Sequence, residues 1–139
     1  MAIQATPYMT FSGNCREAMS YYQQVLGGEL MLQSVAETPI AAQCPTGVQN
    51  HIMHSMLTGD GFILMATDMT GPQGFIPGTD MSISLNFDKM EDINNCYERL
   101  SEGGKIIDTL KDSFWGSMFG VVQDKFGKVW MLNHEKKQS

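Results

Sequence analysis

Residues 7–30 of this chain, PYMTFSGNCREAMSYYQQVLGGEL, are written twice. Sliding the stretch by 76 positions lays Phe11 on Phe87, Tyr21 on Tyr97 and Gly27-Gly28 on Gly103-Gly104, with no gap. The second copy, from Ile83, reads ISLNFDKMEDINNCYERLSEGGKI. Each copy has the form of a short apolar strand, a capped amphipathic helix, a Gly-Gly stop and a new strand. A repeat this long in 139 residues predicts two similar modules sharing one core.

In module one (1–70), residues 5–11 read as a strand, and Asn14 as a helix N-cap with Glu17 completing a capping box. Cys15, Ala18, Met19, Tyr22, Val25 and Leu26 recur at helical spacing and form one apolar face. Gly27-Gly28 then stops the helix, and Glu29–Ala36 reads as the next strand. Thr38–Asn50, broken by Pro39, Pro45 and Gly47, reads as a long loop of the kind that serves as a lid. His51–Thr58 and Phe62–Asp68 read as a hairpin turning at Gly59-Asp60-Gly61. Residues 69–80, rich in Gly and Pro, form the linker to module two (81–139).

Module two repeats the plan: a strand over Met81–Phe87, then a helix capped by Asp88 with Glu91 at the box position. Met90, Ile93, Cys96, Tyr97 and Leu100 make its apolar face, and Gly103-Gly104 ends it. Lys105–Leu110, Ser117–Gln123 and Lys128–His134 read as strands. A second offset, of 66, lays Gly61 on Gly127 and Met65 on Met131, ten less than the first because module one carries the longer loop. The prediction is an α+β domain over 1–139. It comprises two β-α-β-β-β modules whose eight strands form a curved, mostly antiparallel sheet around a cavity, with the helices outside.

A formal net charge of −6 and a pI near 4.8 argue against a nucleic-acid partner. The one basic pair, Lys136-Lys137, reads as a solvated tail. No apolar run suits a membrane span and MAIQATPYMTF lacks the marks of a signal peptide, so the expected compartment is the cytoplasm. Cys15, Cys44 and Cys96 are odd in number and widely spaced, which argues for free thiols.

PYMTFSGNCREAMSYY, DSFWGSMFG and DKFGKVWMLN resemble the PhnB-like proteins of the vicinal oxygen chelate superfamily, which includes glyoxalase I, extradiol dioxygenases and the bleomycin and fosfomycin resistance proteins. The resemblance covers nearly the whole chain and implies paired β-α-β-β-β modules enclosing a cavity, commonly in a homodimer. Phe75, Phe114 and Trp115, in turn-rich segments, are the candidate subunit contacts. Some PhnB-like proteins carry a methyltransferase name. This chain has no strand, glycine loop and helix of the kind that holds adenosylmethionine, so methyl transfer is not expected.

The resemblance also implies where a metal would sit: His and Glu ligands on the first and last strands of each module. Those positions fall on Thr6 or Pro7, Met65, Ser82 and Met131. Hydroxyls and thioethers are poor ligands for a hard divalent ion, so neither metal nor other cofactor is expected. His51 and His54, three apart on a strand, point to opposite faces; either suits a general base. His134, near the end of the last strand, reads as a hydrogen-bonded rim residue. Strand alternation from the metal positions supplies the expected ligand site: Tyr8 as a catalytic donor, with Thr10, Met65, Ser82, Ser84, Asn86, Met131 and Asn133 facing inward. Trp115 is a wall residue, whereas Trp130 belongs to the opposite face.

Three functions fit these readings. The first is a metal-independent PhnB-like protein that binds or transforms a small organic molecule. The second is a metabolite- or drug-sequestering protein of the bleomycin-resistance type. The third is a metal-dependent lyase or dioxygenase with rearranged ligands, against which the missing His and Glu ligands count.

Overall fold

The computed structural model describes residues 2–135; the Lys136-Lys137 pair lies outside the described residues. In module one, strand β1 (Tyr8–Thr10) leads to helix α1 (Cys15–Leu26) and then to β2 (Glu29–Ser34), β3 (Ile52–Gly59) and β4 (Phe62–Thr67). Module two runs β5 (Ile83–Asn86), α2 (Met90–Ser101), β6 (Lys105–Asp112), β7 (Ser117–Gln123) and β8 (Val129–Glu135). This is the α+β plan of two β-α-β-β-β modules. The eight strands hydrogen-bond as two four-stranded sheets, in the orders β1-β4-β3-β2 and β5-β8-β7-β6, and not as one eight-stranded ladder. Each sheet is open and mixed: β1 runs parallel to β4 and β5 to β8, and the other pairs are antiparallel. The two compact units meet in sequence between Ile76 and Pro77.

Both repeat offsets reappear in the hydrogen bonding. Tyr8 pairs with Met65 in the first sheet and Ser84 with Met131 in the second. Just beyond them, Phe11 N–H donates to the Thr67 carbonyl and Phe87 N–H to the Asn133 carbonyl, each at 2.8 Å. The parallel pair that opens and closes each module is therefore built alike in both.

Each helix buries its apolar stripe on its own sheet. Cys15, Ala18, Met19 and Tyr22 of α1 are buried, with Met9, Phe11, Leu57, Leu64 and Ala66 buried from the strands. The Tyr22 and Phe11 rings lie 6.4 Å apart, and Cys15 Sγ is 3.5 Å from Ser55 Oγ. Burying Tyr22 alone contributes about 1.5–3 kcal/mol. In module two, Ile93, Cys96 and Leu100 of α2 are buried, as are Val122, Trp130 and Leu132. Val25, Leu26, Met90 and Tyr97, expected on these stripes, are only half-buried at their margins.

The helix starts differ from the sequence expectation. Asn14 occupies the N-cap of α1, but its side chain caps nothing there and the box with Glu17 does not form. Asp68, at the end of β4, does the work: its Oδ1 accepts from Gly13 N (2.9 Å) and Cys15 N (3.0 Å), and its Oδ2 from Ile52 N (2.8 Å). A carboxylate makes charge-assisted bonds about twice as strong as a neutral carboxamide does, so the distant acid outcompetes the local Asn14. Helix α2 starts after Lys89, one residue later than Asp88 capping would require, and has no side-chain cap. Its first turn carries Glu91 and Asp92, whose charges suit the helix N-terminus. At the position equivalent to Asp68 stands His134, buried, with Nδ1 2.9 Å from the Phe87 carbonyl; since a carbonyl only accepts, Nδ1 carries the proton.

The long loop is not irregular. Beyond Ser34 the chain forms three short helical turns, Val35–Glu37, Ala41–Gln43 and Thr46–Val48. The first is closed by a capping box in which the Ser34 hydroxyl and N–H both donate to Glu37, at 2.8 and 3.1 Å; these bonds hold the Glu37 carboxyl below its ordinary pKa. Gln49 Nε2 reaches the carbonyls of Ala41, Cys44 and Pro45 at 2.8, 3.2 and 3.3 Å and pins the other two turns.

All three thiols are free; Cys15 and Cys96 are buried and Cys44 is half-buried. Burial pushes the Cys96 thiol up to about 12. A thiol reagent at mildly alkaline pH should therefore titrate Cys44 alone in the native protein and all three cysteines after denaturation. Rapid native reaction of Cys15 or Cys96 would contradict their burial.

Candidate functional site

The helix covers one face of each sheet, and alternation places the remaining residues on the other. In module one the open face is built in rows across the strands. One row runs Tyr8, Met65, Met56 and Met31, each paired with the next. The next row carries Thr10 paired with Thr67, and His54 paired with Gln33. Tyr8 is 52% exposed and Met31 45%, whereas Met56, Met65 and His54 are half-buried.

Tyr8 and His54 meet on this face. The phenol oxygen lies 2.9 Å from His54 Nδ1, and the ring centroids are 5.7 Å apart. Tyr8 is on β1 and His54 on β3, with β4 between them, so the phenol reaches across the neighbouring strand. The ring extends diagonally from the Met65 row to the Thr67 row. Thr67 is fixed beneath, its hydroxyl donating to the Met53 carbonyl (2.7 Å) and accepting from Met69 N–H (2.9 Å).

His51 does not join them. It precedes β3, and its Nε2 lies 3.3 Å from where a Cβ on Gly13 would stand, at the start of α1. The pairing shift between Gln33 and Ser34 breaks alternation between His51 and His54, so simple strand geometry does not relate the two rings.

In module two the open face carries Ser84 beside Met131 and Asn86 beside Asn133. Asn133 Nδ2 donates to Asn86 Oδ1 at 3.2 Å. Phe119 pairs with Asn133 and shares its face; Trp115, in the turn before β7, packs edge-on against Phe119 at 5.3 Å and against Phe114 at 4.8 Å. Ser82 is exposed and precedes β5, outside the paired strand. Trp130 lies on the helix side, wholly buried, its Nε1–H donating to Asp124 Oδ2 at 2.8 Å.

Sequence reasoning gave no role to Met31, Met56 or Gln33. The signal was present: alternation in β2 and β3 puts them on the face of His54 once the pairing is known. It also passed over Asp124, which accepts from Phe126 N, Lys128 N and Trp130 Nε1 and so fixes the β7–β8 turn to the core.

At the positions where the resemblance implies metal ligands, Thr6 or Pro7, Met65, Ser82 and Met131, the side chains present do not suit a hard divalent ion. The last-strand positions are the thioethers of Met65 and Met131, and the residues paired with them offer a phenol and a serine hydroxyl. Among the described residues no three His, Cys, Asp or Glu side chains are grouped to hold one. No helix among them is long and apolar enough to cross a membrane.

The chain is 35% identical over 142 residues to Protein YjdN of Escherichia coli K12, covering 96% of each. It superposes on the crystal structure of protein PA1353 from Pseudomonas aeruginosa with a TM-score of 0.84 and 38% identity, covering 98% of this chain and 100% of that one. A Bacillus cereus structure described as a putative 3-demethylubiquinone-9 3-methyltransferase, PhnB protein, shares the fold at a TM-score of 0.72 and 23% identity, over 95% and 99% of the two chains. Residues 5–132 match the family model described as Glyoxalase/Bleomycin resistance protein/Dioxygenase superfamily, and the chain belongs to that superfamily.

Proposed function

We propose that this chain is a PhnB-like protein that binds or transforms a small organic molecule on the open face of module one, without the superfamily's divalent metal. The observation that carries this is the 2.9 Å contact between Tyr8 Oη and His54 Nδ1, on a face that also carries Met, Thr and Gln side chains with Glu29 and Ile63 at its far end. A phenol and an imidazole in hydrogen-bond contact form a proton-carrying pair. With the proton on Nδ1, the imidazole donates to the phenol oxygen, the phenol proton points to a ligand oxygen, and Nε2 is free to take a proton from the ligand. With Nδ1 unprotonated, the phenol donates to it, and Nε2–H is the donor. Methionine supplies an adaptable apolar floor for the rest of the ligand.

The test is a metabolite screen by thermal shift, followed by a turnover assay on each hit. Tyr8→Phe should weaken binding by about 0.5–1.5 kcal/mol, the worth of one hydrogen bond, and leave the circular dichroism unchanged. If the ligand is transformed, His54→Gln should lower turnover by roughly 10²–10⁴-fold. Hits that bind both variants as tightly as the wild type, with turnover intact, would refute the assignment. Binding that depends on Tyr8 but yields no product would assign the protein to sequestration.

A further inference from the structure

The proton-carrying pair makes no use of the sulfur in the row that Tyr8 opens. Met31 on β2 pairs with Met56 on β3, and Met56 with Met65 on β4. Paired residues on neighbouring strands send their side chains to the same face, on backbones about 4.8 Å apart. Three thioethers therefore stand abreast on a face that no helix of the module covers. The fold does not demand this: the equivalent row of module two is Ser84, Met131, Val121 and Asp108, with a single sulfur. Leucine or isoleucine would serve equally as an apolar floor. Thioether sulfur adds one capacity those residues lack, coordination of soft monovalent ions. The methionine side chain has three rotatable bonds, so adjacent sulfurs can close on one ion without moving the backbone. His54 stands one row along, with Nδ1 turned to Tyr8.

We propose that Met31, Met56 and Met65 form a thioether site for a soft monovalent cation of the Cu(I) and Ag(I) type. The proposal rests on the three sulfurs and is independent of the phenol–imidazole reading. A hard ion such as Zn(II) or Mg(II) should not compete for the site.

The experiment titrates the full chain anaerobically with Cu(I) against a chromogenic Cu(I) chelator, and separately with Ag(I) observed through methionine-methyl NMR. Both use a Cys44→Ser background, because the half-buried Cys44 thiol is a competing soft ligand. One ion per chain is expected, with the methyl signals of Met31, Met56 and Met65 shifting and those of the other nine methionines (twelve in all) staying in place. Met56→Leu, which keeps the volume and removes the sulfur, should abolish stoichiometric binding; Tyr8→Phe should leave it unchanged. Loss of the ion in Cys44→Ser alone, undiminished binding in Met56→Leu, or shifts at other methionines would overturn the proposal. If Met56→Leu fails to fold, the methyl map of the Cys44→Ser protein decides by itself. An organic ligand that binds through Tyr8 while Ag(I) does not bind would leave the proposed function standing and this site refuted.

Discussion

Asp68→Ala should destabilise the protein by about 3 kcal/mol or more, a loss read as a lower urea midpoint with an unchanged slope. The carboxylate is 6% exposed and accepts three backbone N–H groups, those of Gly13, Cys15 and Ile52. Removing it strands donors from two places at once: the first turn of α1 and the start of β3. A buried donor left without a partner costs about 1–3 kcal/mol, and bonds to a charged acceptor lie at the upper end of that range. Asp68→Asn keeps one carbonyl oxygen but sets an amide NH2 against at least one backbone N–H, so it should recover only part of the loss. The local capping box makes the opposite prediction, with Asn14 and Glu17 as the important pair. Asn14→Ala and Glu17→Gln should each cost well under 1 kcal/mol, since neither side chain caps α1. A small loss for Asp68→Ala beside a large one for Asn14→Ala would reverse the assignment.

This contrast marks where the sequence could be read and where it could not. Alternation along a strand needs only the strand, so placing Tyr8, Thr10 and Met65 on one face, and Ser84, Asn86, Met131 and Asn133 on another, followed from the repeat. The two offsets, 76 and 66, even encoded the register, because Tyr8 pairs with Met65 as Ser84 pairs with Met131. A partner far along the chain leaves no local trace. Asp68 lies 53 positions from the Cys15 amide it accepts, whereas Asn14 and Glu17 carry the local signature of a cap. Tyr8 and His54 were both visible as chemistry-bearing residues, but their meeting depends on β4 lying between β1 and β3. That order comes from a parallel pairing of the first and last strands of the module, which no turn signal announces. The irregular pairing at Gln33 and Ser34 hid the relation of His51 to His54 in the same way.

The sequence predicts the Gly-Gly pairs to be helix stops, which is only half of their physical work. Gly27 ends α1 with φ 78, and a Cβ there would meet nothing within 4 Å. Its partner Gly28 serves both needs, with φ 107 and no room for a Cβ, which would come within 2.5 Å of the Thr58 carbonyl oxygen on β3. Module two separates the two roles, with Gly103 at φ 73 and Gly104, which has no positive φ, pressed against the backbone of β7. The Gly104 contact is the tighter, since a Cβ would stand 2.1 Å from the Gln123 carbonyl oxygen and 3.0 Å from the Asp124 backbone. Gly104→Ala should accordingly lower stability by roughly 3 kcal/mol or more, or prevent the folded protein from accumulating. The obstacle is main chain, which cannot rotate away as a side chain would. Moving it displaces Asp124, whose carboxylate holds the β7–β8 turn through Phe126 N and Lys128 N and the fully buried Trp130 through Nε1. Gly27→Ala is the control, because it tests positive-φ backbone strain (φ 78, ψ −178) without a clash and should cost about 1–3 kcal/mol. The two variants separate the two roles by thermal melts. Equal losses would mean that the backbone beside Gly104 yields freely. A much larger loss at Gly104 would show that the second glycine of the module-two pair is there to let a strand approach.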